Sequence, residues 1–449
     1  MRRTEAAASW RVRCPSTLVG RYILDVEIGS QLDSRARRRG AADAAVPLSV
    51  CLLLVGATVT WRAKVYYEGG VDTVVVLKAL LTVLALAVAW QAYRRCREPR
   101  PLGARTMWFL AAFLAVSTFG AWSTGEVKAS AVLSVRALLL ALTVVLLIRA
   151  FPSDVVLKSL LTATGTFGVL AAITGFGSYA SGERLQGTMP PLNPNEIAVL
   201  CALPAVGLGW LALTHRSQGI HGALMAGLLA VIWATGSRTV LFALLVALFV
   251  MALQSRRLGP VIACTLVFVF FAFVYVATAT SVLTGYFARG GDENVATLNS
   301  RTIAWSAALS FPETEWVRWM GAGLATKLVP VQGQYWDQQL LDSSWISALV
   351  QAGLIGALIL LLWALCTCWA SLRVPAPTRM LYSALVVFLL IRSVLESGLV
   401  DSTPSFVTFF LVSMLADRRT SRVDVSGVRT VPSVPRRSAS PRFAGSVGP

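Results

Sequence analysis

The sequence predicts an all-α, polytopic integral membrane protein with about twelve transmembrane helices and one large polar loop between the ninth and the tenth. Three observations predict it. The chain is 56% hydrophobic and 14% charged over 449 residues, with a mean hydropathy of +0.67, which is too apolar for helices that each turn a polar face to water. Apolar runs recur at roughly the 20-residue length that a helix needs to cross the hydrocarbon core. Between two of these runs lies a polar stretch, 283–342, far longer than an ordinary helix connection.

In chain order the apolar runs are 46–61, 71–92, 106–122, 130–150, 155–178, 195–213, 219–235, 238–253, 258–281, 343–370, 379–397 and 404–416. A basic arm, 1–45, precedes them; it lacks the apolar core of a signal peptide and is expected to be disordered. A second arm, 417–449, is rich in Ser, Pro and Arg and carries the same expectation. The layout is therefore two tails around helices one to nine (46–281), the loop (282–342) and helices ten to twelve (343–416).

Orientation follows from the cations, because short cytoplasmic loops retain Lys and Arg during insertion. Arg35, Arg37, Arg38 and Arg39 precede the first run. Arg94, Arg95, Arg97, Arg100 and Arg105 lie between the second and third; Arg216, Arg256, Arg257, Arg373 and Arg379 fall in later loops, and Arg418, Arg419 and Arg422 follow the last run. Placing all of these inside puts both termini in the cytoplasm and the 283–342 loop outside. There Asp292, Glu293, Glu313, Glu315, Asp337 and Asp342 outweigh Arg289, Arg301, Arg318 and Lys327.

The net charge of +18 does not indicate nucleic-acid binding, since the arginines are spread over loops and tails and form no single face. Anionic lipid headgroups are the expected partner. Cys366-Thr367-Cys368 has the wrong spacing for zinc and no histidine near it, so no metal and no cofactor are expected. No cysteine pair faces the outside, so no disulfide is expected either.

Candidate chemistry gathers on the outward side. Arg238, in the Gly236-Ser237-Arg238-Thr239 turn, either binds a phosphate bidentately or snorkels to headgroups. Asn299 or Ser300 is expected to cap a short amphipathic helix ending at Phe311. That places Arg301 in the first turn, where the helix dipole favours an anion, and puts Trp305 on the same face. Met320-Gly321-Ala322-Gly323-Leu324 reads as a turn of close backbone approach. Trp345, with Trp316, Trp319, Tyr335 and Trp336, either stacks on sugar rings or belongs to the aromatic belt at the membrane surface. Asp342 is expected as N-cap of the tenth span or, in the same place, as a proton acceptor; His215 and His221, the two histidines, fall inside. Glu183 and Arg184 sit in an outside loop leading through Asn193, Pro194, Asn195 and Glu196 into the sixth span. Arg392 and Glu396 are spaced i,i+4 and read as mutually neutralising. With Arg136 they also hint at a polar cavity, because a charge at membrane depth costs about 2.5–3.5 kcal/mol.

In order along the chain, Asn193-Pro194-Asn195, Ser237-Arg238, Ser300-Arg301 with Trp305, Gly321 to Gly323, and Asp342 to Gly356 resemble the O-antigen ligase and polymerase superfamily over about 185–370. Ser344, Trp345, Gly353, Leu354, Ile355 and Gly356 keep that family's pattern, with Asp342 where its catalytic histidine usually stands. The resemblance implies a GT-C-like fold in a bacterial cytoplasmic membrane, with 282–342 as the catalytic loop. It implies transfer of a glycan from a polyprenyl-diphosphate donor to a glycan or lipid acceptor hydroxyl, for cell-envelope or exopolysaccharide biosynthesis. Arg238 and Arg301 would hold the diphosphate without a metal, Asp342 would take the proton, and Arg184, Asn195, Trp305, Trp345, Arg392 and Glu396 would line the substrate site. The alternative for about twelve helices is a transporter or lipid-linked-glycan flippase, which predicts paired halves, broken helices and mid-membrane charge.

Overall fold

The computed structural model describes residues 44–61, 73–214, 218–255, 296–311, 314–331, 338–376 and 378–426, and within them it is almost wholly helical. The helices are α1 (Ala44–Thr58), α2 (Thr73–Arg95), α3 (Arg105–Gly120), α4 (Val127–Ala150), α5 (Ser153–Thr174), α6 (Phe176–Ala180), α7 (Pro194–Thr214), α8 (Gln218–Thr235) and α9 (Arg238–Leu253). After them come α10 (Ala296–Ser310), α11 (Glu315–Met320), the antiparallel pair β1 (Leu328–Pro330) and β2 (Gln338–Leu340), then α12 (Ser344–Arg373), α13 (Thr378–Leu395) and α14 (Pro404–Ser426). Six of these, α2, α4, α5, α7, α12 and α13, are long and apolar enough to cross a membrane; α1, α3, α8, α9 and the first part of α14 are shorter apolar helices. Every predicted run overlaps at least one of these helices except 258–281, which lies outside the described residues, as do the tails at 1–43 and 427–449.

Several boundaries differ from the sequence expectation, each for a local reason. The run 155–178 is two helices, because the chain turns at Gly175, where a side chain would collide with the Gln186 carbonyl of the following loop. The last helix continues past 416 to Ser426, so the segment expected to begin a disordered tail at Asp417 starts as helix. Asp417 itself is tied back to the start of α3, accepting an ion pair from Arg105 at 3.0 Å. α10 begins at Ala296, so Asn299 and Ser300 lie within it and Arg301 is beyond its first turn, where the dipole argument no longer holds. The N-cap of α12 is Ser343, one residue after the expected Asp342.

The core where α12, α13 and α14 meet is aromatic and holds one polar knot. Trp363, Phe406, Phe409 and Phe410 are fully buried, and the Trp363 ring lies 5.0 Å from that of Phe409. The Ser413 hydroxyl accepts the Trp363 indole N–H at 2.9 Å and lies 2.9 Å from the hydroxyls of Thr106 and Thr367, joining α3, α12 and α14. Small hydroxyls of this kind join helices where no hydrophobic driving force acts between them.

α12 is interrupted inside its apolar length. Gly353 takes φ 66, ψ −166, which frees the carbonyls before it from helical bonding. The segment after α11 fills the break. The Ala322 N–H donates to the Val350 carbonyl at 2.8 Å and the Gly323 N–H to that of Gln351 at 3.0 Å, and the Ser117 hydroxyl donates to Gln351 O at 2.8 Å. Gly321 (φ 80) and Gly323 (φ 98) make this approach sterically feasible, so the Met320 to Leu324 turn is a backbone plug.

The Arg105–Asp417 pair gives a first prediction. The Asp417 side chain is 7% exposed and that of Arg105 40%, so the partly open cation is screened. Arg105→Ala should lower stability by about 1–2 kcal/mol, read as an earlier thermal unfolding midpoint in detergent. An unchanged midpoint would show that the pair contributes nothing.

Candidate functional site

The site is built from helix ends. Asn193 caps α7, its side-chain oxygen accepting the Glu196 N–H at 2.9 Å, and Pro194 occupies the first helical position, where a missing N–H costs nothing. This start sends Asn195 and Glu196 to different neighbours. Asn195 donates its amide to Glu396 Oε1 at 2.9 Å and accepts from the Arg184 guanidinium at 3.4 Å. Arg184 also donates Nε to the Thr235 carbonyl at 2.9 Å, a cation at the C-terminus of α8, where the dipole favours it.

Immediately after Thr235, Gly236 turns the chain with φ 64, and Ser237 leads into α9 with Arg238 as its first residue. The turn brings Arg238 within electrostatic range of Arg184. The Arg184 pKa is lowered by burial first and by the neighbouring Arg238 second, with Glu396 acting in the opposite sense. Two guanidiniums from separate segments thus act on each other as like charges. Both residues keep exposed surface, with the Arg184 Nε turned inward to Thr235.

The end of α13 closes the other side. Arg392 is buried and donates to the Ser405 hydroxyl at 3.1 Å and the Ser397 carbonyl at 3.4 Å; its Nε has no hydrogen-bond partner among the described residues. Glu396 and Glu196 both act on it electrostatically. The Glu196 carboxylate accepts from the Thr60 hydroxyl, and Lys78 donates to the Thr60 carbonyl at 3.1 Å. Arg392 and Glu396 are therefore not a self-contained i,i+4 pair. Each is bound to another element. Arg136, read as a hint of a cavity, donates to the Ala57 carbonyl at 2.9 Å and ties α4 to α1.

The start of α12 is fastened to the same place. Ser344 donates to the Glu396 carbonyl at 2.9 Å and accepts the Leu399 N–H at 3.2 Å, while the Trp345 indole donates to the Ser393 hydroxyl at 3.0 Å. Trp345 is half-buried in this contact. Asp342 is half-exposed and stands one residue before the cap Ser343, whose hydroxyl reaches Ser393 O at 3.5 Å. The loop's hairpin is clipped on as well. Lys327, just before β1, makes an ion pair with Asp401 between α13 and α14, the side chains being 11% and 21% exposed. Ala308 of α10, Val329 of β1, Leu341 and Val350 form a small core that seats α10 on the start of α12.

Of the residues expected to act together, Arg184, Asn195, Arg238, Trp345, Arg392 and Glu396 gather at one end of the bundle, with Asp342 beside them. Trp305 lies half-buried on α10, its indole N–H without a partner among the described residues. The Arg301 side chain, and with it the expected cation–π contact to Trp305, lies outside the described residues. Sequence reasoning missed Glu196, Thr60, Lys78, Ser344 and the Lys327–Asp401 pair as members of this cluster. Glu196 carries a signal that misleads: three residues after Asn193 it reads as the far half of a capping box. Its carboxylate goes to Thr60 instead.

No known family model matches the chain, and no curated protein matches it either.

Proposed function

We propose that this protein is a membrane glycosyltransferase of the O-antigen ligase or polymerase type, twelve-spanning and GT-C-like, with both termini in the cytoplasm and the cluster at the outer face of a bacterial cytoplasmic membrane. It transfers a glycan from a polyprenyl-diphosphate donor to an acceptor hydroxyl. The observation that carries this reading is that Arg184, within electrostatic range of Arg238, is tied through Asn195 to Glu396, whose carbonyl accepts the Ser344 hydroxyl at the start of α12. Like charges held together at a water-accessible helix end are stabilised by an anion that both can reach, and a diphosphate carries enough charge for two guanidiniums.

In this reaction the acceptor oxygen attacks the anomeric carbon, and the bond from that carbon to the diphosphate oxygen breaks with inversion. Charge then grows on the leaving diphosphate, where Arg184, Arg238 and Arg301 stabilise it. Asp342, half-exposed ahead of the α12 N-terminus, takes the acceptor proton. Asn195 and Glu396 hold Arg184 in place.

The test uses purified protein in lipid nanodiscs with a polyprenyl-diphosphate-linked oligosaccharide. Free polyprenyl diphosphate should appear only when an acceptor glycan is added, in step with a new glycosidic bond. Asp342→Asn should slow the step by roughly 10²–10⁴-fold with donor binding unchanged; full activity would remove Asp342 as the base. The break in α12 favours a second reading, a flippase, because transporters place broken helices at their sites. Against it, the freed carbonyls are satisfied by backbone N–H groups of the loop. Lipid-linked glycan changing leaflet with no new bond would establish that reading over the first.

A further inference from the structure

We propose that the end of the bundle opposite this cluster holds a selective site for one anionic phospholipid, in the corner where α2 finishes against α4. Arg94 and Arg95 end α2, and Arg97 and Arg100 follow, with Glu98 the sole carboxylate of the segment up to Arg105. The segment is folded onto the α4 terminus: the Arg100 N–H donates to the Arg149 carbonyl at 3.2 Å, and the Cys96 thiol lies 3.8 Å from the Ala150 carbonyl. Two neighbouring cations already have partners. Arg105 is paired with Asp417, and the Arg149 guanidinium lies 5.1 Å over the Tyr93 ring. Arg94, Arg95 and Arg97 are exposed, and none of them forms an ion pair among the described residues.

An apolar track leads straight into these cations. α2 is the least buried of the long apolar helices. Val76, Leu80, Val83 and Trp90 are exposed and recur at the spacing of one helix face, and Arg94 is four residues beyond Trp90 on that same face. An occupant must therefore be apolar along most of α2 and negatively charged at its end. A phospholipid with an anionic headgroup meets both demands, its acyl chain on the track and its phosphate among Arg94, Arg95 and Arg97. A zwitterionic headgroup brings its own cation to the same place.

Trp90 reports on the site. The full chain is placed in phosphatidylcholine nanodiscs with a small fraction of either phosphatidylglycerol or phosphatidylcholine brominated in the acyl chain. Tryptophan quenching is compared with that of Trp90→Phe to isolate the Trp90 share. Brominated phosphatidylglycerol should quench Trp90 at roughly tenfold lower fraction than brominated phosphatidylcholine. The Arg94→Gln/Arg95→Gln/Arg97→Gln variant should lose that difference, and millimolar inorganic phosphate should leave it intact. Equal quenching by the two lipids, persistence of the difference in the glutamine variant, or its loss on adding phosphate would each overturn the proposal, the last by showing a site for small anions.

Discussion

Arg238→Ala should lower glycan transfer by at least about a hundredfold with the protein still folded and in the membrane, and Arg184→Ala should match it in activity. Arg238 is exposed at the first position of α9 and lies within electrostatic range of Arg184. In a reaction that expels a diphosphate, its charge stabilises the leaving group. Activity lost from a protein that still folds is the signature of a residue kept for function. Arg184 holds the Thr235 carbonyl through its Nε, so alanine there should also cost some stability. Lysine at either position keeps the charge but not the fork, and should restore only part of the rate. The measurements are product formation in nanodiscs and the unfolding midpoint of each variant. An Arg238→Ala enzyme with normal turnover would remove the diphosphate role.

Gly353→Val should prevent the protein from accumulating in the membrane, and Gly321→Ala should be nearly as damaging. At Gly353 the backbone has φ 66, and an added Cβ would collide with the Trp319 carbonyl; at Gly321, with φ 80, it would strike the backbone between Gln351 and Ala352. The atoms in the way are main chain, which cannot rotate aside as a side-chain tip does. Strain in this region of φ costs about 1–3 kcal/mol per residue. The collision adds to that, and loss of the plug would leave carbonyls of α12 without donors inside an apolar bundle. Gly177→Ala is the control, since nothing lies within 4 Å of its added carbon. Expression level and unfolding midpoint of the three variants decide the matter, and a Gly353→Val protein as abundant as the parent would show that the break is optional.

How far the sequence carried this far depends on the range of each interaction. The apolar helices were legible because burial in lipid leaves a mark on every residue of a segment, as in Val127–Ala150 or Pro194–Thr214. The tight turn at Gly236 and the cap at Asn193 were legible because their chemistry is local. The partnerships of the cluster were not. Asn195 with Glu396, Glu196 with Thr60, and Lys327 with Asp401 join residues far apart in the chain, and nothing adjacent to any of them announces its partner. The break in α12 was hidden for a further reason. Gly353 and Gly356 sit in an apolar run whose composition is that of an unbroken helix, and only the contact with Gly321 and Gly323 shows where the backbone departs from it.

That contact also imposes an order on biogenesis. The donors that complete α12 lie just upstream of it in the chain, on the far side of the membrane from the ribosome in the topology proposed here, and they seat against Gly120 at the end of α3. In that topology the preceding segment is exported before α12 leaves the ribosome, and the span is complete only once that segment is tucked back against it.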